Sequence, residues 1–145
     1  IMSLKDGSKK MSKSELSDLS RVNLTDNKDQ IKNKIKKAKT DPLPMPKTIK
    51  ELDERLEAKN LIGIYSSLTN STMEKSIEVF AGKNFSEFKD KLSNVLVDKI
   101  APISLEIKKL LDDQLYLDKI LLEGVEKANL IASKKIKKIK EIVGF

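Results

Sequence analysis

From residue 58 onward, apolar positions recur with a spacing close to one helical turn. Leu61, Ile62, Tyr65 and Leu68 form the first stripe. Ser71 and Glu74 predict a capping box that opens a short helix through Phe80, with Gly82 as its stop. Ser86 and Glu87 predict the next start, with Phe88, Leu92, Val95, Leu96 and Ile100 facing inward. Pro102 either kinks that helix or begins another, and Ile103, Ile107, Leu110 and Leu111 resume the stripe. Asp112 or Asp113 caps a last helix that ends at Gly144. Along it, Ile120, Leu121, Val125, Ala128, Ile131, Ala132, Ile136, Ile139 and Val143 keep helical spacing for about eight turns. This part of the chain reads as an α-helical bundle without internal repeat.

Upstream the pattern is different. Residues 1–25 are dominated by Ser, Asp, Gly and Lys and read as loop and extended chain, with Ile1-Met2-Ser3-Leu4 fitting the end of a strand. A helix is predicted from Lys28 to Lys39, with Thr25 and Asp26 as N-cap candidates and Ile31, Ile35 and Ala38 on its buried face. Lys32, Lys34, Lys36, Lys37 and Lys39 cover much of the rest, and Thr40-Asp41-Pro42 stops it. Pro42, Pro44 and Pro46 predict an extended linker over 41–58. Within it, Thr48 and Glu51 leave a short polar helix at 49–57 as the alternative to loop. The expected organisation is therefore 1–40, a linker 41–58, and a helical domain 59–145.

Composition narrows the chemistry. The 145 residues include no cysteine, so there is no disulfide framework or thiolate metal site. They include no histidine, which removes the commonest general base and metal ligand. With no signal peptide and no apolar run of spanning length, a soluble cytoplasmic protein is the default expectation. The net charge of +7 sits at the two ends. Residues 1–40 carry eleven Lys/Arg against five Asp/Glu, residues 134–145 five against one, and the middle thirteen against sixteen. Such asymmetry suits a polyanion partner, nucleic acid or phosphate; lysine used only for solubility is the alternative.

One string carries specific chemistry: Lys10-Met11-Ser12-Lys13-Ser14, preceded by Asp6-Gly7-Ser8-Lys9. When the α-phosphate of a triphosphate is attacked, negative charge builds on the departing pyrophosphate, and ammonium groups placed there stabilise the transition state. A mobile loop can close for chemistry and open for release. The hydroxyls of Ser12 and Ser14 add donors, and small residues let backbone N–H groups approach phosphate oxygens.

The pentapeptide is the second signature of class I aminoacyl-tRNA synthetases. With its flanks, Met2 to Ser14, it resembles the loop segment of tryptophanyl-tRNA synthetases of the bacterial and mitochondrial type. Ser20-Arg21-Val22-Asn23-Leu24-Thr25-Asp26 and Lys34-Ile35-Lys36-Lys37-Ala38-Lys39-Thr40-Asp41 are similar to the segment that follows that loop. Asn60-Leu61-Ile62-Gly63-Ile64-Tyr65 resembles the start of the family's helical domain, and Glu123-Gly124-Val125-Glu126-Lys127-Ala128 its last long helix.

The resemblance implies a mainly α chain: a helical, anticodon-binding bundle preceded by the signature loop at the end of a Rossmann-type catalytic domain. It implies the C-terminal portion of an enzyme that activates L-tryptophan with ATP and Mg²⁺ to tryptophanyl-adenylate and transfers it to tRNA(Trp). Lys10 and Lys13 would be the catalytic contacts to phosphate, with Met11, Ser12 and Ser14 completing the loop. Ile1 would fall where the backbone meets adenine. Mg²⁺ would come with the phosphates rather than on residues of this chain. The family works as a homodimer. The histidine signature and the amino-acid pocket are absent from these residues, so the chain alone is expected to be inactive.

Other readings stand beside this one. A stand-alone basic helical RNA-binding module would explain the charge and the helices, but not the loop. A purely structural bundle explains neither. Lys134, Lys135, Lys137, Lys138 and Lys140 are either a landing strip for tRNA or the solvated face of an amphipathic helix. Asp112 and Asp113 could hold Mg²⁺ as a carboxylate pair, but capping suits their position better.

Overall fold

The computed structural model describes residues 1–144, and in it the apolar stripes become six α-helices that follow a short β-hairpin. The mainly α class expected from the sequence is borne out. The described chain divides into two compact units, Ile1–Leu105 and Glu106–Phe145.

In the first unit, β1 (Met2–Ser3) pairs antiparallel with β2 (Asp6–Lys10), in register Met2 with Lys10 and Ser3 with Asp6 and a bulge at Met2/Ser3. Leu4, in the turn, is tied to the chain on both sides. Its amide donates to the carbonyl of Ser20 at 2.8 Å, and its own carbonyl accepts from the amide of Lys39 at 2.7 Å. A 3-10 turn at Asp18–Ser20 leads to α1 (Lys28–Lys37).

Helix α1 starts at a different cap from either expected one. Asn27 accepts from the amide of Gln30, and the Gln30 side chain accepts from the amide of Asn27, a reciprocal capping box. Asp26 is committed elsewhere: it is buried and accepts from the amide of Asn23 and the ammonium of Lys34. The helix also ends two residues early, at Lys37. The Lys89 ammonium takes the carbonyls of Lys36 and Ala38 there, at 3.3 and 2.6 Å.

Residues 41–58 contain α2 (Ile49–Asp53), opened by Thr48, whose hydroxyl accepts from the amide of Glu51. The preceding prolines are held down rather than loose. Met45 and Pro46 are buried, and Met45 exchanges backbone hydrogen bonds with Lys83 and Gly82. Arg55 forks onto Asp41 and reaches the carbonyls of Leu43 and Pro44.

Helix α3 (Leu56–Thr69) packs on β2, α2 and α4 (Met73–Phe80). Asn70 ends α3 in the left-handed conformation, φ 52°. The expected Ser71 cap is replaced by Thr72, which accepts from the amide of Lys75. The Ser71 hydroxyl instead meets Thr69 and Ser76. Helix α5 (Phe85–Asp112) is opened by Asn84 accepting from the amide of Glu87, not by Ser86. Pro102 lies inside α5 and does not divide it.

Ile31, Ile35, Leu52, Leu61, Ile62, Phe80, Phe88 and Leu92 form the centre of one core. The rings of Tyr65, Phe80 and Phe88 meet edge to face there, with centroids 4.8–6.1 Å apart.

In the second unit, Asp113 caps α6 (Gln114–Val143) by accepting from the amide of Tyr116 at 3.0 Å. Gly144 closes the helix at φ 84°, its amide donating to the carbonyl of Lys140. The predicted eight-turn spacing is therefore a helix, but no residue of α6 is buried.

Candidate functional site

The signature pentapeptide begins where β2 ends. Lys10 is the last residue of the strand and pairs with Met2. The amide of Met11 donates to the carbonyl of Ile1 at 3.4 Å, which brings Ile1 against the loop. Ile1, Met2 and Met11 line one apolar pocket of about 220 Å³ with Ile64, Leu68 and Ile100. Met11 is thus the half-buried foot of the loop, while Lys10, Ser12, Lys13 and Ser14 are exposed.

Among the described residues, the hydrogen bonds of the tip, Ser12 to Ser14, are made within the tip itself. The hydroxyls of Ser12 and Ser14 share a hydrogen bond at 2.9 Å, and the amide of Ser14 donates to the Ser12 hydroxyl at 3.3 Å. Among the described residues, neither Lys10 nor Lys13 pairs with a carboxylate. The nearby Asp6 is occupied: the Ser8 hydroxyl and amide hold its carboxyl below the usual carboxylate range, and Lys9 lies 3.4 Å away. Two free ammonium groups beside two small hydroxyl residues form a cationic crest suited to an oxyanion chain.

Both roots of the loop are anchored. At the entry, the Asn60 side chain accepts from the amide of Met2 and donates to the carbonyls of Met2 and Ser3, at 3.0–3.3 Å. Gly7 lies against the backbone of Leu56 and Glu57, so close that a Cβ would stand 2.6–2.7 Å from their atoms. At the exit, Arg21 donates to the carbonyl of Glu15 at 3.1 Å and to Asn23 at 3.1 Å. Lys34 of α1 reaches Asp18 at 2.6 Å and Asp26 at 2.7 Å. The Lys34 and Asn23 side chains hold the Asp18 carboxyl below its usual range.

These anchors were not read from the sequence as functional residues. Lys34 reads with the lysines that cover the open faces of α1, yet it is buried; the signal that could have found it is its spacing, three residues after Ile31 and four before Ala38.

A second surface lies along α1 and α5. Lys32, Asn33, Lys36, Lys89, Ser93 and Asn94 line a cleft of about 910 Å³. Burial pushes the Lys89 ammonium down from its ordinary value. In the second unit, Lys134, Lys135, Lys137, Lys138 and Lys140 are all exposed on α6.

Comparison with known proteins decides the family. Residues 1–98 match the family of class I tRNA synthetases for tryptophan and tyrosine (W and Y). The chain belongs to this family. Within it, the whole chain is 48% identical to the tryptophan–tRNA ligase of Agrobacterium fabrum, covering 41% of that protein. It is 48% identical to the one from Caulobacter vibrioides and 46% to the one from Rickettsia felis, covering 42% and 43% of them. The chain thus spans about two-fifths of the length of the curated relatives it matches. The crystal structure of tryptophanyl-tRNA synthetase from Mycoplasma pneumoniae superposes with a TM-score of 0.77 over the whole chain and 43% of its own, at 22% identity, and shows a shared fold. The resemblance drawn from the signature loop and its flanks is borne out.

Proposed function

We propose that this chain is the C-terminal portion of a tryptophan–tRNA ligase and supplies the loop that holds the phosphates of ATP. The observation that carries the reading is the pairing of an intact, exposed, carboxylate-free Lys10-to-Ser14 crest with relatives that are tryptophan–tRNA ligases along the whole chain. Lys10 and Lys13 neutralise the charge that gathers on pyrophosphate as the tryptophan carboxylate attacks the α-phosphate. Ser12 and Ser14 offer hydroxyl donors, and Met11 and Ile1 seat the loop beside the adenine. Mg²⁺, when bound, adds positive charge on the phosphate oxygens. The crest holds no carboxylate, so the metal travels with the nucleotide. Adenine and tryptophan are otherwise held by parts of the enzyme beyond this chain.

The helical region takes tRNA(Trp). Two basic surfaces support this: the lysine- and asparagine-lined cleft between α1 and α5, and the lysine face of α6. The whole enzyme works in the cytoplasm as a homodimer.

The test is tryptophan-dependent ATP–pyrophosphate exchange by the full-length protein. Lys10→Ala or Lys13→Ala is expected to lower kcat about 10²–10³-fold, the usual effect of removing one transition-state charge partner. The KM for tryptophan should stay unchanged. The 145-residue chain alone, without histidine or a tryptophan pocket, should give no exchange. Wild-type exchange that ignores tryptophan, or lysine variants that run at the wild-type rate, would overturn the reading.

A further inference from the structure

We propose that Lys34 is a positioning residue for the signature loop: clamped between Asp18 and Asp26, it fixes the chain leaving Ser14 and so sets where Lys13 stands relative to Lys10. The inference rests on the reading of the crest as a polyphosphate site.

Lysine is rarely buried, because removing an ammonium from water is costly unless charges meet it. Here the Lys34 side chain is only 4% exposed, although α1 has open faces where a lysine would remain solvated. Its two carboxylate partners come from different stretches of chain. Asp18 lies in the 3-10 turn just after the loop, and Asp26 immediately precedes the cap of α1. One ammonium between two carboxylates leaves an excess negative charge, and Arg21 answers it by pairing with Asp18 at 3.3 Å. Arg21 then reaches the carbonyl of Glu15, the residue next to Ser14. Asn23 closes the set, donating its amide to Asp26 and its side chain to Asp18, each at 2.8 Å.

The result is a charged knot that binds residues 15–23 to a helix of the core. The entry root is fixed independently by the hairpin and Asn60. Between the roots only Ser12, Lys13 and Ser14 are free, and three residues span at most about 11 Å. The reach of the loop is therefore a property of its roots. Phosphate-binding cations must meet the nucleotide within a fraction of an ångström, and a misplacement of about 1 Å can cost ~10²-fold. Lys34 touches no substrate and acts through the knot.

The experiment uses the full-length protein and the ATP–pyrophosphate exchange assay. Lys34→Met removes the centre of the knot. Asp18→Asn is the milder variant, because it spares the buried Lys34–Asp26 pair and keeps α1 attached. Both are expected to lower kcat/KM for ATP about tenfold or more while leaving the KM for tryptophan unchanged. Both should also speed amide hydrogen exchange at Ser20 and Asn23, whose amides donate to the carbonyl of Ser17 and to the Asp26 carboxylate. Lys34→Arg keeps the charge and should recover part of the loss. Wild-type kcat/KM for ATP in both variants, a raised KM for tryptophan, or unchanged exchange at those two amides would overturn the proposal. A wild-type enzyme without tryptophan-dependent exchange would instead remove the reading beneath it, and that outcome is seen before any variant is made.

Discussion

At the scale of single residues, the hairpin depends on Gly7 for a reason of space rather than backbone angle. The backbone of α3 comes so close that a methyl group would stand 2.6 Å from the carbonyl carbon of Leu56. Backbone atoms in the first turn of a helix cannot swing aside like the end of a flexible side chain, so the hairpin must lift. Gly7→Ala is expected to destabilise the chain by about 1–3 kcal/mol, the usual range for overpacking. A urea midpoint equal to that of the wild type would show that the hairpin lifts freely. Asn60 works at the same junction from the other side, satisfying one amide and two carbonyls of β1 with a single side chain. Its identity was legible as part of the Asn60–Tyr65 resemblance, but its partner was not. The partner lies 58 positions earlier, and no local pattern links two positions so far apart.

At the scale of elements, the helices were legible because burial has a period. The stripes at Ile31–Ala38, Leu61–Leu68 and Phe88–Leu96 supply most of the core. Phe88 is fully buried against Tyr65 and Phe80, so Phe88→Ala should cost about 3–5 kcal/mol, whereas Ile103→Ala on the same helix should stay within about 0.5 kcal/mol. Ile103 is 44% exposed, so a chemical unfolding series that ranked the two alike would contradict this account of the core. Element ends were less legible. At three starts the true cap lies within two residues of the expected one: Asn27 for Asp26, Thr72 for Ser71 and Asn84 for Ser86. All these side chains can accept from a helix amide, and the choice falls to the residue that tertiary partners leave free. Asp26 is drawn off by Lys34 and Ser71 by Ser76. The same competition hid the candidate site's support. The five-residue crest is a local string and could be read; the knot that holds it joins Asp18, Asp26 and Lys34 only once α1 is packed.

At the scale of the whole molecule, three ion pairs cross the first unit and share one response to acid. Lys34 and Asn23 hold Asp18 below the usual carboxylate range. Burial pushes Asp41 up, but hydrogen bonds from Arg55 and the amide of Leu43 outweigh it, and Asp41 also lies low. Lys39 lowers Glu57, and Glu57 in turn raises Lys39. A carboxylate whose folded pKa lies below its unfolded one adds stability at every pH above the unfolded value, about 3.9 for Asp and 4.3 for Glu. Below that value the unfolded chain takes up protons that the folded one refuses, and the added stability drains away until the folded pKa is passed. Lys39 behaves in the opposite sense. Its contribution is complete below about pH 10 and is lost as the pH rises through its raised folded value. The thermal midpoint should therefore be level from about pH 5 to about pH 7 and fall below about pH 4. In Asp41→Asn, which keeps the shape but carries no proton to exchange, the midpoint at pH 7 should be lower and the acid slope shallower. A midpoint that rose on acidification, or an Asp41→Asn variant with the full wild-type slope, would mean that the first unit is not held by these pairs.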